Sequence, residues 1–275
     1  MENVKTTWRL ILSPPANGAW NMAADEAILE ASAAGKSLPT LRLYAWEPAC
    51  LSLGYGQPLK DVDLQGLTAN GWDVVRRPTG GRAILHTDEL TYSVSGPESE
   101  PRLAGSILDS YRRLSSALLA ALGILGLNGE SKAMGENRGI TQEDPICFEV
   151  PSHYEITVSG KKIIGSAQAR RKGGVLQHGS LPLYGDLGRI AQALNYPDQT
   201  SRSQAAEKTL AHATTVASVL GRQINWDQAA RAFVQAFEDT LDLELQAGEM
   251  SAWEQRRTEE LVIEKYSHPD WTRKI

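Results

Sequence analysis

The chain has 275 residues, of which 41% are hydrophobic and 22% are charged, and its formal net charge is −5. A chain of this size and composition can bury a large core, so we expect one large domain over residues 1–275, or one domain with a small appendage. The negative charge argues against nucleic acid as the main partner. No run reaches the length of a membrane span and the first residues lack the order of a signal peptide, so we expect no membrane partner and a cytoplasmic location.

Strand and helix periods alternate in the first two thirds of the chain. Alternating apolar residues predict strands at 8–11, 41–46, 50–54 and 73–76, and a helical period predicts helices at 21–34 and 62–70. Residues 83–86 and 90–94 are predicted to form a pair of strands. The clearest helix covers residues 106–122, with Ser106 as its N-cap.

Helical patterns dominate after residue 179. They lie at 187–194, 214–220, 226–241 and 247–266, so the C-terminal part from about residue 185 is expected to be mostly helical. Strands followed by helices indicate an α+β fold, a mixed β-sheet with packed helices. The aromatic segment at 265–271 is expected to dock on the body of the protein.

The chain has two cysteines, Cys50 and Cys147. Two are too few for a disulfide framework, and no Cys/His cluster has the spacing of a zinc site, so we expect no metal. Cys50 lies in a strand-like apolar segment, where a cysteine is most often a small buried hydrophobe. We assign it no chemistry.

Cys147 precedes Lys162 by fifteen residues. Residues 154–158 alternate as a strand, and Ser159, Gly160 and Lys161 supply a turn before a second strand opens at Lys162. Such a hairpin would bring the two side chains together, and a nearby ammonium favours the nucleophilic thiolate. The segment alone leaves a structural cysteine and a solvated lysine as alternatives.

Residues 76–82 (Arg-Arg-Pro-Thr-Gly-Gly-Arg) link two strand-like runs. Pro78 fixes a backbone torsion, Thr79 offers a hydroxyl, and Gly80 and Gly81 permit a positive φ or the close approach of a ligand. The loop lacks the Gly-Lys-Ser or Gly-Lys-Thr of a P-loop, and no helix follows it as in a dinucleotide-binding fingerprint. Taken alone, the loop is a weak signal, and a simple β-turn with solvated arginines is its default interpretation.

Four segments in this order resemble the lipoate-protein ligase and octanoyltransferase family, which is related to biotin protein ligases: residues 76–86, 90–93, 162–168 and 177–181. Residues 17–26 also match, and the resemblance extends over about residues 8–272. It implies a biotin/lipoate protein ligase-like catalytic fold in a single acyltransferase domain. Within the family, residues 147–155 are most similar to the cysteine-dependent octanoyltransferases of the LipM type, in which that cysteine carries the acyl group.

The resemblance also implies the reaction and the site. An octanoyl group, or a lipoyl group, would pass from the thioester of acyl carrier protein to a lysine of a lipoyl-domain protein, such as glycine cleavage H protein or a dehydrogenase E2 subunit. The thioester is already activated, so no cofactor is expected. Cys147 would be the nucleophile and Lys162 would stabilise its thiolate and accept a proton. The expected substrate-binding residues are Arg77, Thr79, Gly80, Gly81, His86, Gly165, Ser166, His178 and Gly179.

Several details stay open at this level. Arg77 either holds the loop or contacts phosphopantetheine, and His86 and His178 either line the site or are hydrogen-bonded core residues. The oxyanion donors are backbone amides around Gly80 and Gly81 or around Gly165 and Ser166.

The acyl slot and the basic run are open as well. The candidate walls of an acyl slot are Ile84, Leu85 and Ile164, for which core packing alone is the default role. The basic run Arg170, Arg171 and Lys172, at an expected hairpin tip, either steers an acidic partner or is solvated.

The loop departs from the ATP-using ligases of the family. Those enzymes typically have three glycines where this chain has Gly80, Gly81 and Arg82, and they need no cysteine at the position of Cys147. Both differences favour thioester chemistry. The alternatives are an ATP-dependent lipoate-protein ligase, an octanoyl amidotransferase acting between lipoyl-domain proteins, and a non-catalytic acyl-binding module.

Overall fold

The computed structural model describes residues 5–133 and 154–275. The first half contains β1 (Thr6–Leu12), α1 (Gly18–Ala33), β2 (Thr40–Tyr44), β3 (Cys50–Leu53), α2 (Leu64–Asn70), β4 (Asp73–Arg76), β5 (Ile84–His86), β6 (Glu89–Pro97) and α3 (Ile107–Ile124). The second half contains β7 (Gly129–Ala133), β8 (Tyr154–Val158), β9 (Lys161–Arg171), β10 (Gly174–Pro182), α4 (Gln199–His212), α5 (Val216–Leu220), α6 (Trp226–Leu241), β11 (Leu243–Ala247), α7 (Ala252–Leu261) and α8 (Pro269–Thr272). Short 3-10 segments lie at Leu59–Asp61 and Leu187–Ala193, and α7 continues as a π-helical turn over Val262–Tyr266.

The strands form two sheets. The large sheet has the order β11-β1-β2-β6-β10-β9-β8-β7, and the small sheet has the order β4-β3-β5. The pairs β11–β1 and β1–β2 are parallel, whereas the remaining neighbours of the large sheet are antiparallel. The predicted α+β fold with a mixed sheet is therefore confirmed, and the small second sheet is an addition to it. The extent of the domain stays a prediction.

Helices cover both faces of the large sheet, as two successive residues of β6 show. The ring of Tyr92 lies 5.9 Å from that of Phe233 in α6, while the hydroxyl of the next residue, Ser93, donates to Asp25 in α1 at 2.7 Å. Successive side chains of a strand point to opposite faces, so α6 and α1 lie on opposite sides of the sheet. The α6 side holds the larger apolar core, to which α3 also contributes.

Side-chain caps fix where the helices begin. Asn17 accepts a hydrogen bond from the amide of Trp20 at 2.9 Å and starts α1. Ser106 and Asp109 form a capping box at α3, as the sequence predicted for Ser106. A start at Asn17 directs Asp25, two helical turns later, onto the sheet.

One predicted pairing is wrong. β5 and β6 do not pair with each other, because β5 pairs with β3 in the small sheet and β6 pairs with β2 and β10 in the large one. Thr87 and Asp88 carry the chain from one sheet to the other, and His86 Nδ1 bonds Glu89 Oε1 across this corner at 2.6 Å. The corner thus joins the two sheets.

The sequence patterns also missed β7, β11 and α4. Within α4 the only buried side chain is that of Thr209, so the helix lacks the apolar stripe on which the periodicity argument depends. In the part of the chain that the model describes, no helix is long and apolar enough to cross a membrane.

The C-terminal segment docks on the body, as expected, and a buried arginine holds it. Arg76 donates to the carbonyl oxygens of Trp271 at 3.1 Å and Thr272 at 2.7 Å. The same guanidinium donates to the carbonyls of Gly54 at 2.9 Å and Gln57 at 2.6 Å. Trp271 Nε1 returns a bond to the Arg76 carbonyl at 2.8 Å.

We expect Arg76→Met to lower the free energy of unfolding by about 3 kcal/mol, since each buried carbonyl left without a donor costs roughly 1–3 kcal/mol. Urea denaturation measures the change. Arg256→Met, at an exposed position of α7, is the matched control. Equal effects of the two substitutions would contradict the anchoring role of Arg76.

Candidate active site

A cavity of about 410 Å³ opens between the two sheets. Its walls come from β6, β9 and β10 of the large sheet, from β3 and β5 of the small sheet, and from the loop at residues 77–82. The two motifs that the sequence singled out, separated by about 80 residues, therefore meet at one cavity.

Eight of the nine predicted substrate-binding residues line this cavity. They are Arg77, Gly80, Gly81, His86, Gly165, Ser166, His178 and Gly179. The ninth, Thr79, is buried behind the wall, where its hydroxyl bonds Nε2 of His178 at 2.7 Å. Their binding role stays a prediction.

Arg77 organises the loop. Its guanidinium donates to the carbonyls of Gly80 at 2.8 Å and Arg82 at 2.7 Å, and to the Ser52 carbonyl of β3 at 2.9 Å. Gly81 has φ +92°, a conformation that favours glycine. Arg77 therefore holds the loop in shape and ties it to the small sheet.

A buried carboxylate lies under the His178 side of the cavity. Asp25 is fully buried and accepts hydrogen bonds from Arg42 at 2.8 Å, Tyr44 at 2.9 Å and Ser93 at 2.7 Å, while His178 Nδ1 lies 3.4 Å from its Oδ2. Burial alone would raise the pKa of Asp25. The hydrogen bonds from His178 and Ser93 and the charge of Arg42 outweigh burial, so the pKa of this carboxyl lies below 3.8.

The same surroundings keep His178 neutral. Burial lowers its pKa below 6.5, and the charge of Arg77 acts in the same direction, against the opposing effect of Asp25. With Nδ1–H directed at the carboxylate, Nε2 accepts from the Thr79 hydroxyl. His178 thus links Asp25 in α1 to the loop above it.

His86 is held in a parallel way. Its Nδ1 bonds Glu89 Oε1 at 2.6 Å, its Nε2 bonds Ser52 Oγ at 2.8 Å, and its ring stacks on Trp46 at 4.0 Å. Both ring nitrogens of His86 and of His178 are therefore engaged within the protein. His86 fixes the Ser52 hydroxyl at the cavity wall, and His178 fixes the Thr79 hydroxyl behind it.

Lys162 is buried in β9, and its Nζ lies 3.1 Å from Oε1 of Glu155 in β8. The two strands pair around Ser159 and Gly160, both at positive φ, so Lys161 is a strand residue and was wrongly assigned to the turn. Lys162 does not belong to the lining of the cavity. Cys147 lies outside the described residues, so its contact with Lys162 stays a prediction.

Of the three candidate apolar walls, Ile84 lines the cavity, whereas Leu85 and Ile164 pack into the apolar cores of the small and large sheets. Sequence reasoning missed Met22, Tyr44 and Trp46 in the lining. Met22 comes from α1, Tyr44 from β2 and Trp46 from the residues that follow β2, and no local pattern reveals that these elements meet at the cavity.

The sequence predicted no chemistry for Cys50 and no metal site. Cys50 is fully buried, and burial raises its pKa well above 9.0, so its thiol stays protonated. Within residues 5–133 and 154–275, no three His, Cys, Asp or Glu side chains are grouped so that they could hold a metal ion.

The lipoyl protein ligase A/B catalytic-domain model matches residues 17–238 of the chain. The chain belongs to this family. A relative from Moorella thermoacetica named octanoyltransferase LipM is 41% identical, with 98% of both chains covered. One of the same name from Kyrpidia tusciae is 39% identical, with 96% of this chain and 98% of the relative covered. The family resemblance that the motifs indicated is confirmed.

Solved structures agree on the fold. A bipartite lipoate protein ligase of Thermoplasma acidophilum, studied with its E2 lipoyl domain, has a TM-score of 0.81 at 27% identity, covering 98% of this chain and 96% of that chain. A lipoate-protein ligase A bound with ATP has a TM-score of 0.77 at 27% identity, covering 98% and 99%. Proteins named lipoate protein ligases thus share the fold of this chain, whose sequence relatives are named octanoyltransferases.

The lowered pKa of His178 predicts a loss of stability on acidification. Above pH 6.5 the His178 ring is neutral in both the folded and the unfolded chain. Below pH 6.5 the unfolded chain binds a proton more readily than the folded chain, so the free energy of unfolding decreases as the pH is lowered. Urea denaturation at pH values on both sides of 6.5 measures this slope. His178→Gln should reduce the slope of the free energy of unfolding against pH, whereas His212→Gln, at an exposed position, should leave it unchanged. An unchanged slope in His178→Gln would assign the effect to another group.

Proposed function

We propose that this protein is an octanoyltransferase of protein lipoylation, which moves an octanoyl group from the thioester of acyl carrier protein to a lysine of a lipoyl domain. The observation that carries the proposal is the meeting of the 77–82 loop with residues 165–166 and 178–179 at one cavity. The name shared by the relatives supports the acyl group, and a ligase of the same fold studied with a lipoyl domain supports the acceptor. The carrier-protein donor follows from the cysteine chemistry below.

The reaction proceeds in two steps through Cys147. The thiolate of Cys147 attacks the thioester carbonyl, a new C–S bond forms, and the bond to the carrier sulfur breaks, so the carrier leaves as a thiol after taking up a proton. The amine of the acceptor lysine then attacks the acyl-enzyme, forms the amide and releases the Cys147 thiolate. The amine loses one proton in this step.

Lys162 supplies charge and proton transfer. As an ammonium it stabilises the Cys147 thiolate and gives its proton to the departing carrier thiolate, and the resulting amine then accepts the proton that the acceptor amine loses. Its ion pair with Glu155 at 3.1 Å fixes the end of the side chain in a buried position.

The oxyanion of each step needs preorganised donors, each typically worth about 3 kcal/mol. The 80–81 and 165–166 segments both line the cavity. The second is tightly packed, because a Cβ on Gly179 would lie 2.5 Å from the Gly165 carbonyl and 2.6 Å from Ser166 Oγ. Glycine at 179 therefore lets β9 and β10 form this wall.

An ATP-dependent lipoate-protein ligase is the second candidate, since two solved ligases of the same fold contain lipoic acid or ATP. Such an enzyme activates a free acid and requires no cysteine. An amidotransferase acting between lipoyl-domain proteins would keep Cys147 and replace the carrier donor. The choice of donor separates all three.

Octanoyl transfer should therefore proceed without nucleotide. Purified protein with octanoyl-acyl carrier protein and apo lipoyl domain should give octanoyl-lysine, measured by intact mass, at the same rate with and without ATP. Transfer from free octanoate only in the presence of ATP would move the protein to the ligase class. Transfer only from an octanoylated lipoyl domain would make it an amidotransferase.

The covalent intermediate should form on Cys147. Donor without acceptor should add one octanoyl mass that hydroxylamine removes, and Cys147→Ser should abolish transfer because a serine hydroxyl stays protonated where a thiol ionises. Cys50→Ser is the matched control, since the other cysteine is buried and protonated. An adduct on Cys50, or full turnover by Cys147→Ser, would exclude Cys147 as the nucleophile.

A further inference from the structure

A cationic and aromatic surface borders the active-site loop. Tyr55 is its centre: the Arg171 guanidinium lies 4.8 Å from the centroid of the Tyr55 ring and the Lys274 ammonium lies 3.5 Å from it. Trp271 completes the cluster, with its ring 5.8 Å from that of Tyr55. We call these four residues the Tyr55 surface. They come from three distant parts of the chain.

This surface is attached to the cavity wall. The Tyr55 amide donates to the Thr79 carbonyl at 2.8 Å, and Arg171 donates to the Pro78 carbonyl at 3.1 Å. The residues that follow Tyr55, Gly56 and Gln57, line the cavity itself. A molecule bound at the Tyr55 surface is therefore next to the loop over the proposed reaction site.

The two cations of this surface, Arg171 and Lys274, form no ion pair with a carboxylate in the described part of the chain. Lys172 and Lys265, which lie nearby, are paired with Glu30 at 2.7 Å and Glu26 at 2.5 Å. In that part, Arg171 contacts the Pro78 carbonyl and the Tyr55 side chain, and Lys274 contacts the side chains of Tyr55 and Trp271. On a chain of net charge −5 this is a local excess of positive charge.

The phenol of Tyr55 reports the resulting potential. A hydrogen bond from Lys274, the charge of Lys274 and the charge of Arg171 together lower its pKa below 10.0, although the side chain is in contact with solvent. The two cations thus stabilise negative charge placed at this point. A guanidinium has five N–H donors, so Arg171 can bind another oxygen in addition to the Pro78 carbonyl.

The sequence run 170–172 is divided by strand alternation. Arg170 turns toward α3 and bonds the carbonyls of Leu103 at 2.9 Å and Ser106 at 3.1 Å, whereas Arg171 faces the Tyr55 surface. The expected basic hairpin tip is present, but only one of its three cations joins Lys274.

We propose that the Tyr55 surface docks the acyl donor, by binding the phosphodiester at the base of the phosphopantetheine arm and the acidic residues around it. The inference rests on the proposed function for the identity of the donor. An arm whose thioester reaches the cavity leaves its phosphate at the rim, where Arg171 and Lys274 supply counter-charge. The acceptor brings a lysine ammonium to the same entrance, which these cations repel, so the donor is the better match.

Binding of fluorescently labelled octanoyl-carrier protein to the purified enzyme tests the surface directly. Arg171→Gln and Lys274→Gln should each weaken binding by up to about fivefold at low salt, the effect expected of an exposed charge pair. High salt should remove the difference. Arg171→Lys should keep most of the affinity, and Arg222→Gln, an exposed charge between α5 and α6, should change nothing.

Octanoyl-pantetheine, which lacks the phosphate and the protein, is the control substrate. Its kcat/KM should be the same in wild type and in both charge variants, which shows that the cavity is intact. If Arg171→Gln lowers kcat/KM for octanoyl-pantetheine by the same factor as it lowers carrier binding, Arg171 acts by shaping the loop. If, in addition, Lys274→Gln leaves carrier binding unchanged, the proposal is overturned.

Two further outcomes are decisive. If the charge variants weaken binding of the apo lipoyl domain and leave carrier binding unchanged, the surface belongs to the acceptor and the proposal is wrong. If wild type binds the carrier protein without transferring its acyl group, the carrier protein is not the donor and the proposed function is wrong. The carrier binding of the charge variants then still decides the role of the Tyr55 surface.

Discussion

Two adjacent buried arginines, Arg76 and Arg77, determine the arrangement of the loops around the cavity. Arg76 and Arg77 follow each other at the end of β4, so their side chains leave the backbone in opposite directions. One binds the turn after β3 and the C-terminal segment, and the other binds the glycine loop and β3. Most of the described hydrogen bonds of the two guanidiniums go to backbone carbonyls, and Arg77 also donates to the Ser52 hydroxyl at 3.1 Å. Loops without secondary structure thereby gain fixed positions.

A second buried network joins the cavity to the large sheet. Asp25 reaches from α1 to residues of β2, β6 and β10, and through His178 to Thr79. Such a network is strong because each member has a partner in a site from which water is excluded. His86 and His178, expected from the sequence either to line the site or to be hydrogen-bonded core residues, line the cavity and are also hydrogen-bonded within the protein. They hold the wall against which a substrate would be placed.

Local patterns revealed most of the elements, and the reason is physical. Strands such as Asp73–Arg76 and helices such as Trp226–Leu241 carry the period of their own secondary structure, and Ser106 marks a helix start by its side chain. The cavity residues were found through motif resemblance, not through periodicity. Pairing between distant strands has no local signature, which explains both the false β5–β6 pair and the missed β11.

The same limit explains what was overlooked in the site and beside it. Trp46 enters the lining because it stacks on His86, and Tyr55 meets Lys274 because Arg76 holds the C-terminal segment beside it. Both contacts join residues far apart in the chain. Residue type at a single position indicates the chemistry available there, but only the folded chain decides which groups share a surface.

The parallel pairing of β1 with β11 has a consequence for biosynthesis. Thr6 pairs with Leu243 and Leu10 with Ala247, so one edge of β1 has no partner until nearly all of the chain has left the ribosome. During translation this strand, which carries the buried residues Trp8 and Leu10, presents an open and partly apolar edge. Such an edge invites mispairing with other nascent chains, so shielding of this edge by a chaperone should raise the yield of native protein.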